Sequence, residues 1–260
     1  MNSLLTRKQL CGTYTAIVTP FTQKGEVDWS RLRDLIEWQI ASGVDGLVPV
    51  GTTGESPTLS MEEHARVVEE TIALVRGRCR VIAGTGANAT SEALELTRHA
   101  RDAGADATLQ VTPYYNRPTA AGLVAHFTAV ADLGLPVVLY NVPGRTGREI
   151  PIEVVLELAK HPGVIGIKEA AGNVDRVSQI VRRSDLAVLC GDDALALPMI
   201  AVGAQGLISV ASNVVPGEVV ALVRAALEGR LQEARERHLR LHPLFGALFV
   251  ETNPIPVKAA

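Results

Sequence analysis

Short, almost continuously apolar runs recur along the chain at 14–18, 46–50, 80–83, 107–111, 137–140, 164–168, 187–190 and 206–210. Each is followed by a longer stretch in which apolar residues return every three or four positions: 29–40, 61–75, 91–103, 120–131, 152–159, 174–181, 194–202 and 218–227. A run that is apolar at every position predicts a strand covered on both faces, as in a parallel sheet. The longer period predicts an amphipathic helix. Local signals agree. Leu32, Leu35, Ile36 and Ile40 share one face of the first helical stretch, which stops at Gly43. Ser60 with Glu63 three residues on reads as a capping box. Pro151 and Pro216 stand near helix starts, where a missing N–H costs least.

Eight strands alternating with eight helices predict an α/β fold of the (β/α)8, or TIM-barrel, type over residues 1–228. An open doubly wound sheet is the alternative; it has fewer strands as a rule and a Gly-rich first turn. Residues 229–260 read as a partial C-terminal helical region, 231–241 and 244–250, interrupted by Pro243. It runs into Asn253-Pro254-Ile255-Pro256-Val257-Lys258 near the end of the chain, and the expectation is a short, truncated helical extension.

Composition narrows the function classes. Hydrophobic residues make up 47% of the 260, and aromatics only 4%, so the core is aliphatic. A net charge of −3 gives no reason to expect nucleic acid or an anionic membrane as partner. Cys11, Cys79 and Cys190 are too few and too scattered for a disulfide framework or a metal cluster, which predicts a reducing compartment. No apolar run reaches the length of a membrane span, and residues 1–12 lack the apolar core of a signal peptide. The expected location is the cytoplasm.

In a barrel, chemistry collects at the C-terminal ends of the strands. The strand at 164–168 ends in Lys168, one of five lysines against twenty arginines and the one that follows an apolar β-branched run. An apolar surround disfavours an ammonium, and a neutral amine attacks carbonyls to make Schiff bases. A lysine that snorkels to solvent is the plain alternative. The other strand ends carry Gly51-Thr52-Thr53-Gly54-Glu55-Ser56, Gly84-Thr85-Gly86-Ala87-Asn88, Thr112-Pro113-Tyr114-Tyr115-Asn116, Tyr140-Asn141, Gly191-Asp192-Asp193 and Ser209. The hydroxyl loop at 51–56, leading into a helix, has the makings of an anion nest, and lacking a P-loop lysine it suits a carboxylate. The GxGxxA match at 84–89 reads as a turn beside the site, because its acidic partner, Asp106, starts a strand at the wrong end. Three of four tyrosines, Tyr114, Tyr115 and Tyr140, fall at the active end, where a phenol relays protons. Arg145 offers a fork for a carboxylate. The six histidines read as packing or surface residues, and Asp192 and Asp193 as a helix N-cap rather than metal ligands.

Four motifs together, Gly51-Thr52-Thr53-Gly54-Glu55-Ser56, Val111-Thr112-Pro113-Tyr114-Tyr115-Asn116, Tyr140-Asn141-Val142-Pro143-Gly144-Arg145-Thr146-Gly147 and Gly166-Ile167-Lys168-Glu169, make the chain resemble the dihydrodipicolinate synthase family. That family belongs to the pyruvate-dependent class I aldolase group that includes N-acetylneuraminate lyase. The resemblance implies that Lys168 forms an imine with pyruvate, with no metal or other cofactor. It implies that Thr52 and Thr53 hold the pyruvate carboxylate, and that Ile208 lines that site through its backbone. Tyr140 would be the general acid/base, linked through Thr52 to Tyr115 of a neighbouring subunit. Arg145 would bind the carboxylate of aspartate semialdehyde, and its presence favours a synthase over a sugar-acid lyase. The partners implied are these two substrates and a second copy, in a tight dimer and a homotetramer. Positions matching a feedback lysine site are Ser56, His64, Asn88, Glu92 and Tyr114, with Met61 where some inhibited members carry histidine.

Overall fold

Eight parallel strands close into a barrel in chain order, with the last pairing back to the first: β1 (Gly12–Thr15), β2 (Gly46–Leu47), β3 (Arg80–Gly84), β4 (Ala107–Val111), β5 (Val137–Asn141), β6 (Val164–Glu169), β7 (Ala187–Cys190) and β8 (Gly206–Ser209). The computed structural model describes residues 4–260, so the expectation for 1–12 lies outside the described residues at positions 1–3. The helices are α1 (Trp29–Ala41), α2 (Met61–Val75), α3 (Thr90–Ala103), α4 (Ala120–Ala131), α5 (Pro143–Thr146), α6 (Ile152–Leu158), α7 (Val174–Arg183), α8 (Ala196–Ala201), α9 (Pro216–Leu227), α10 (Leu231–Ala247) and α11 (Ile255–Ala259). The capping box at α2 is present: Glu63 N donates to Ser60 Oγ, and Ser60 N donates to Glu63 Oε2 at 2.9 Å.

Five expectations need correction. The first strand, expected at 14–18, is β1 at Gly12–Thr15. Of the run at 46–50 only Gly46 and Leu47 are regular strand; Val48 N still donates to Thr15 O at 2.8 Å and Pro49 O accepts from Gly84 N at 3.0 Å before the chain turns at Val50, φ 48°. The loop at 51–56 does not enter α2 directly; a 3-10 turn, Ser56–Thr58, intervenes. The stretch 194–202 divides into a 3-10 turn, Asp193–Leu195, and α8. Pro243 does not interrupt the C-terminal helix, since α10 runs through it for 17 residues. The hydrogen bond that Pro243 removes points toward Leu239, which is exposed, so water can satisfy the freed carbonyl.

The core has two layers. Tyr14, Val48, Ile82, Leu109, Tyr140, Leu189 and Ile208 pack inside the barrel, and Leu5 and Leu10 of the N-terminal segment join them. Arg7 fastens that segment by donating to the carbonyls of Ala159 and Val164. Between barrel and helices, Phe127, Leu123 and Leu139 belong to a larger cluster that also takes in Leu241 and Phe245 of α10.

Strand β6 carries the one register irregularity that matters for the site. Val137 pairs with Val164, but Val138 pairs with Gly166, so Ile165 is an extra residue, a β-bulge. Val164 and Ile167 both pack in the outer layer, while Ile165 packs inside. Beyond the bulge, Tyr140 pairs with Lys168, and both share the inward face.

Phe127 is fully buried in the outer layer. Phe127→Ala is expected to cost about 3–5 kcal/mol of folding stability, read as a lowered urea midpoint. A midpoint unchanged from the parent would show that α4 contributes little to the packing.

Candidate active site

The bulge delivers Lys168 to the barrel interior, 5% exposed, with its Nζ 4.3 Å from the Tyr140 ring centroid. Gly191, just past β7, leaves room for its stem: a Cβ there would lie 2.9 Å from Lys168 Cε and 2.7 Å from the Ala170 Cβ. Ile208 is fully buried on β8, paired with Tyr14.

Tyr140 lines a cavity of about 310 Å³ together with Thr52, Val142, Arg145 and Thr146. Thr53 is buried beside Thr52, and its Oγ accepts from Asn253 Nδ2 at 2.9 Å. That bond occupies a lone pair and leaves the Thr53 hydroxyl hydrogen free to donate. Among the described residues, the amides of Thr52 and Thr53 donate to no protein group, whereas the amide of Glu55 turns back to Thr52 O at 3.1 Å. Glu55 itself takes φ 60° and its carboxylate accepts from Lys258 Nζ at 2.5 Å. The loop thus presents free amides and a hydroxyl, the donor set an anionic oxygen needs. Arg145 stands at the mouth, with Nη2 donating to Asn253 O at 2.8 Å.

Of the candidates, Thr52, Tyr140 and Arg145 line this cavity, whereas Lys168, Thr53, Ile208, Tyr115 and Asn88 do not. Tyr115 is 92% exposed at φ 70°, and it does not line the cavity of its own chain. Ser56, His64, Glu92 and Tyr114 do line it, as does Met61. Asn88 does not; its carbonyl accepts from Asn116 Nδ2 at 2.9 Å. Gly84 and Gly86 line the cavity, as expected of a turn packed beside the site, and Asp106 is held at the opposite end by Arg80 at 2.7 Å. Burial pushes the Tyr114 phenol up, with the Glu92 carboxylate adding to the shift.

Three groups escaped the sequence reading. Asn141 and Glu169 follow Tyr140 and Lys168 directly, and alternation along a strand puts them on the opposite face; that was the available signal. Glu169 is fully buried, and its carboxylate accepts from Asn141, Ala171 N and Arg176. Burial raises its pKa, against Arg176, Asn141 and the Ala171 amide, which lower it. The N-cap reading holds for Asp192, which accepts from Ala194 N, but not for Asp193. Asp193 is buried and ties β7 to β8, accepting from Ser209 Oγ at 2.5 Å and from the amides of Val210 and Ala211. Burial raises its pKa too, while those three donors lower it. Asn253, which no local pattern marks, reaches both Thr53 and Arg145 from the C-terminal segment.

Barrel and site together define a (β/α)8 enzyme organised around a buried strand-end lysine. Comparison with known proteins gives the family. The model of the Dihydrodipicolinate synthetase family matches residues 9–260. The 4-hydroxy-tetrahydrodipicolinate synthase of Geotalea daltonii is 52% identical over 96% of this chain and 87% of that relative. The structure of the synthase of the same name from Methylacidiphilum fumariolicum SolV superposes with a TM-score of 0.94 at 51% identity, covering 96% of this chain and 84% of that one. A chloride-inhibited dihydrodipicolinate synthase from Acinetobacter baumannii, solved in complex with pyruvate, gives 0.94 at 46% identity over 96% and 87%. The chain belongs to the dihydrodipicolinate synthetase family.

His64 supplies a pH test. Its Nε2 lies 2.9 Å from Gly84 O, and burial pushes its pKa down to about 4, with the Gly84 bond opposing. Between about 4 and the ordinary 6.5, the unfolded chain binds the proton that the folded one refuses. Stability therefore rises with pH through that window and is lost as pH falls toward 4. Urea unfolding at pH 5 and pH 7.5 should show a smaller difference in His64→Gln than in the parent. An equal difference in both proteins would refute the assignment.

Proposed function

We propose that this enzyme condenses pyruvate with L-aspartate 4-semialdehyde to form 4-hydroxy-tetrahydrodipicolinate, a step in lysine and diaminopimelate biosynthesis, through an imine on Lys168. The observation that carries the reading is the Lys168 amine, buried in the barrel and set over the ring of Tyr140, which lines a cavity together with Thr52 and Arg145.

The amine attacks the carbonyl carbon of pyruvate, and loss of water leaves the imine. The imine draws electrons from the adjacent methyl group, which loses a proton to give the enamine. The enamine carbon attacks the aldehyde carbon of the semialdehyde, whose oxygen takes a proton. The semialdehyde's amine then adds to the imine carbon, closes the ring and releases Lys168. Tyr140 is the group placed to move these protons. Thr52 and Thr53 receive the pyruvate carboxylate on amide and hydroxyl donors, and the Ile208 backbone completes that wall. Arg145 clamps the second carboxylate. All the electron flow runs through the covalent imine, so the scheme asks for no metal or other cofactor.

A second copy completes the scheme. Tyr115, almost wholly exposed at a positive φ, is shaped to leave its own chain, and in this proposal it reaches the partner's Tyr140 through Thr52. The assembly proposed is a tight dimer, paired again into a homotetramer, in the cytoplasm. Ser56, His64, Glu92 and Tyr114 on the cavity wall, with Asn88 outside it, match the positions of a feedback lysine site. Met61 on the same wall cannot supply the polar contact that a histidine would, which argues against inhibition by lysine.

Borohydride reduction in the presence of pyruvate is expected to add the pyruvate-derived group to Lys168, read by peptide mass spectrometry. No adduct on Lys168 would refute the imine. Arg145→Ala should leave this trapping nearly intact while turnover with the semialdehyde drops by about two orders of magnitude. Equal losses in both would refute its role as a clamp for the second substrate alone.

A further inference from the structure

Tyr140 and Lys168 are cross-strand partners facing into the barrel, and the next pair along the same two strands, Asn141 and Glu169, faces out. Asn141 Nδ2 donates to Glu169 Oε1 at 2.8 Å, a side-chain bond that spans β5 and β6 one residue beyond the reactive pair. Ala171 N donates to the same oxygen at 3.0 Å. Arg176, on the first turn of α7, donates from Nε to Glu169 Oε2 at 3.1 Å, from Nη1 to Glu149 Oε1 at 2.8 Å and from Nη2 to Ile150 O at 2.9 Å. Ile150 N in turn donates to Asn141 Oδ1 at 2.9 Å. The loop that carries Arg145 thus leaves the barrel at Asn141 and is tied back to Asn141 and Arg176 where it ends.

We propose that Glu169 is a positioning residue: through Asn141 it sets Tyr140 over Lys168, and with Arg176 it fixes the loop that presents Arg145. The inference rests on the imine reading of Lys168. Its physical basis is the contrast between directional and non-directional contacts. Glu169 is fully buried and Arg176 nearly so. A buried ion pair adds little to stability over an apolar pair of the same volume, because both charges must be desolvated. What it adds is direction. The ladder between β5 and β6 already has one irregularity at Ile165, and β6 is buried on both faces, so apolar packing distinguishes its two phases less than it would in a strand with one solvated face. The Asn141–Glu169 bond pins the register on the tip side of that bulge. Reacting groups misplaced by about 1 Å lose on the order of a hundredfold in rate.

Four proteins decide it: the parent, Asn141→Asp, Glu169→Gln, and the double variant. Asn141→Asp sets two carboxylates against each other. The double variant returns the cluster to its original charge and lets the amide introduced at 169 donate to the carboxylate introduced at 141, with the Ala171 amide left without its acceptor. For each, the rate of borohydride-trapped pyruvate on Lys168 is measured with kcat, KM for pyruvate and the thermal midpoint. Asn141→Asp is expected to slow trapping and kcat at least about tenfold, with KM for pyruvate changed far less, as for an interaction that positions rather than binds. The double variant should recover part of the rate. Trapping at the parental rate in Asn141→Asp, or a double variant no faster than that single one, overturns the proposal. If Asn141→Asp does not fold, Glu169→Gln decides alone: a slowed trapping rate with unchanged KM supports it, and a parental rate overturns it. Absence of trapping in the parent would instead condemn the imine reading, so the two failures are distinguishable.

Discussion

One extra residue in β6 governs the chemistry of this barrel. Side chains along a strand alternate with a period of two, so the phase of each strand decides which of them enter the interior. Counted strictly from Val164, which packs against the helices, Lys168 would face the helices as well. Ile165, inserted as a bulge, shifts the phase, so that Gly166 and Lys168 meet the inward-facing Val138 and Tyr140. The outward face of the same segment receives Glu169. Two charged residues adjacent in sequence are therefore buried on opposite sides of one strand, each with its own environment.

Those environments differ in kind. Lys168 lies against an aromatic ring at the end of an aliphatic interior, with Gly191 giving its stem space. Glu169 lies in a closed hydrogen-bond network in which each carboxylate oxygen has a donor. The cost of burying a carboxylate is met there by directional bonds, whereas the Lys168 amine faces the Tyr140 ring.

The two ends of the barrel divide the work. At the N-terminal end, Leu5 and Leu10 close the interior, Arg7 binds the carbonyls of Ala159 and of Val164 at the start of β6, and Arg80 pairs with Asp106. Those contacts hold the fold. At the C-terminal end stand the free amides of Thr52 and Thr53, the exposed Arg145 and the left-handed turns at Val50 and Glu55. The segment after α10 braces that end from outside: Asn253 reaches Thr53 and Arg145, and Lys258 reaches Thr19 O and Glu55.

Sequence alone determined what depends on near neighbours. Strand and helix periods, the Ser60–Glu63 capping box and the count of eight βα units are properties of a few residues at a time, and they were legible. So was the gathering of Lys168, Tyr140, the threonines and Arg145, because strand order assigns their ends to one rim. Pro243 misled, since the tolerance of a helix for proline depends on whether the freed carbonyl sees water. The bulge at Ile165, the bond between Asn141 and Glu169 and the reach of Asn253 to Thr53 were decided only in three dimensions. Each joins residues 28 to 200 positions apart, or depends on how one strand meets its neighbour. No local pattern encodes such a meeting, because it is the closure of the barrel that selects it.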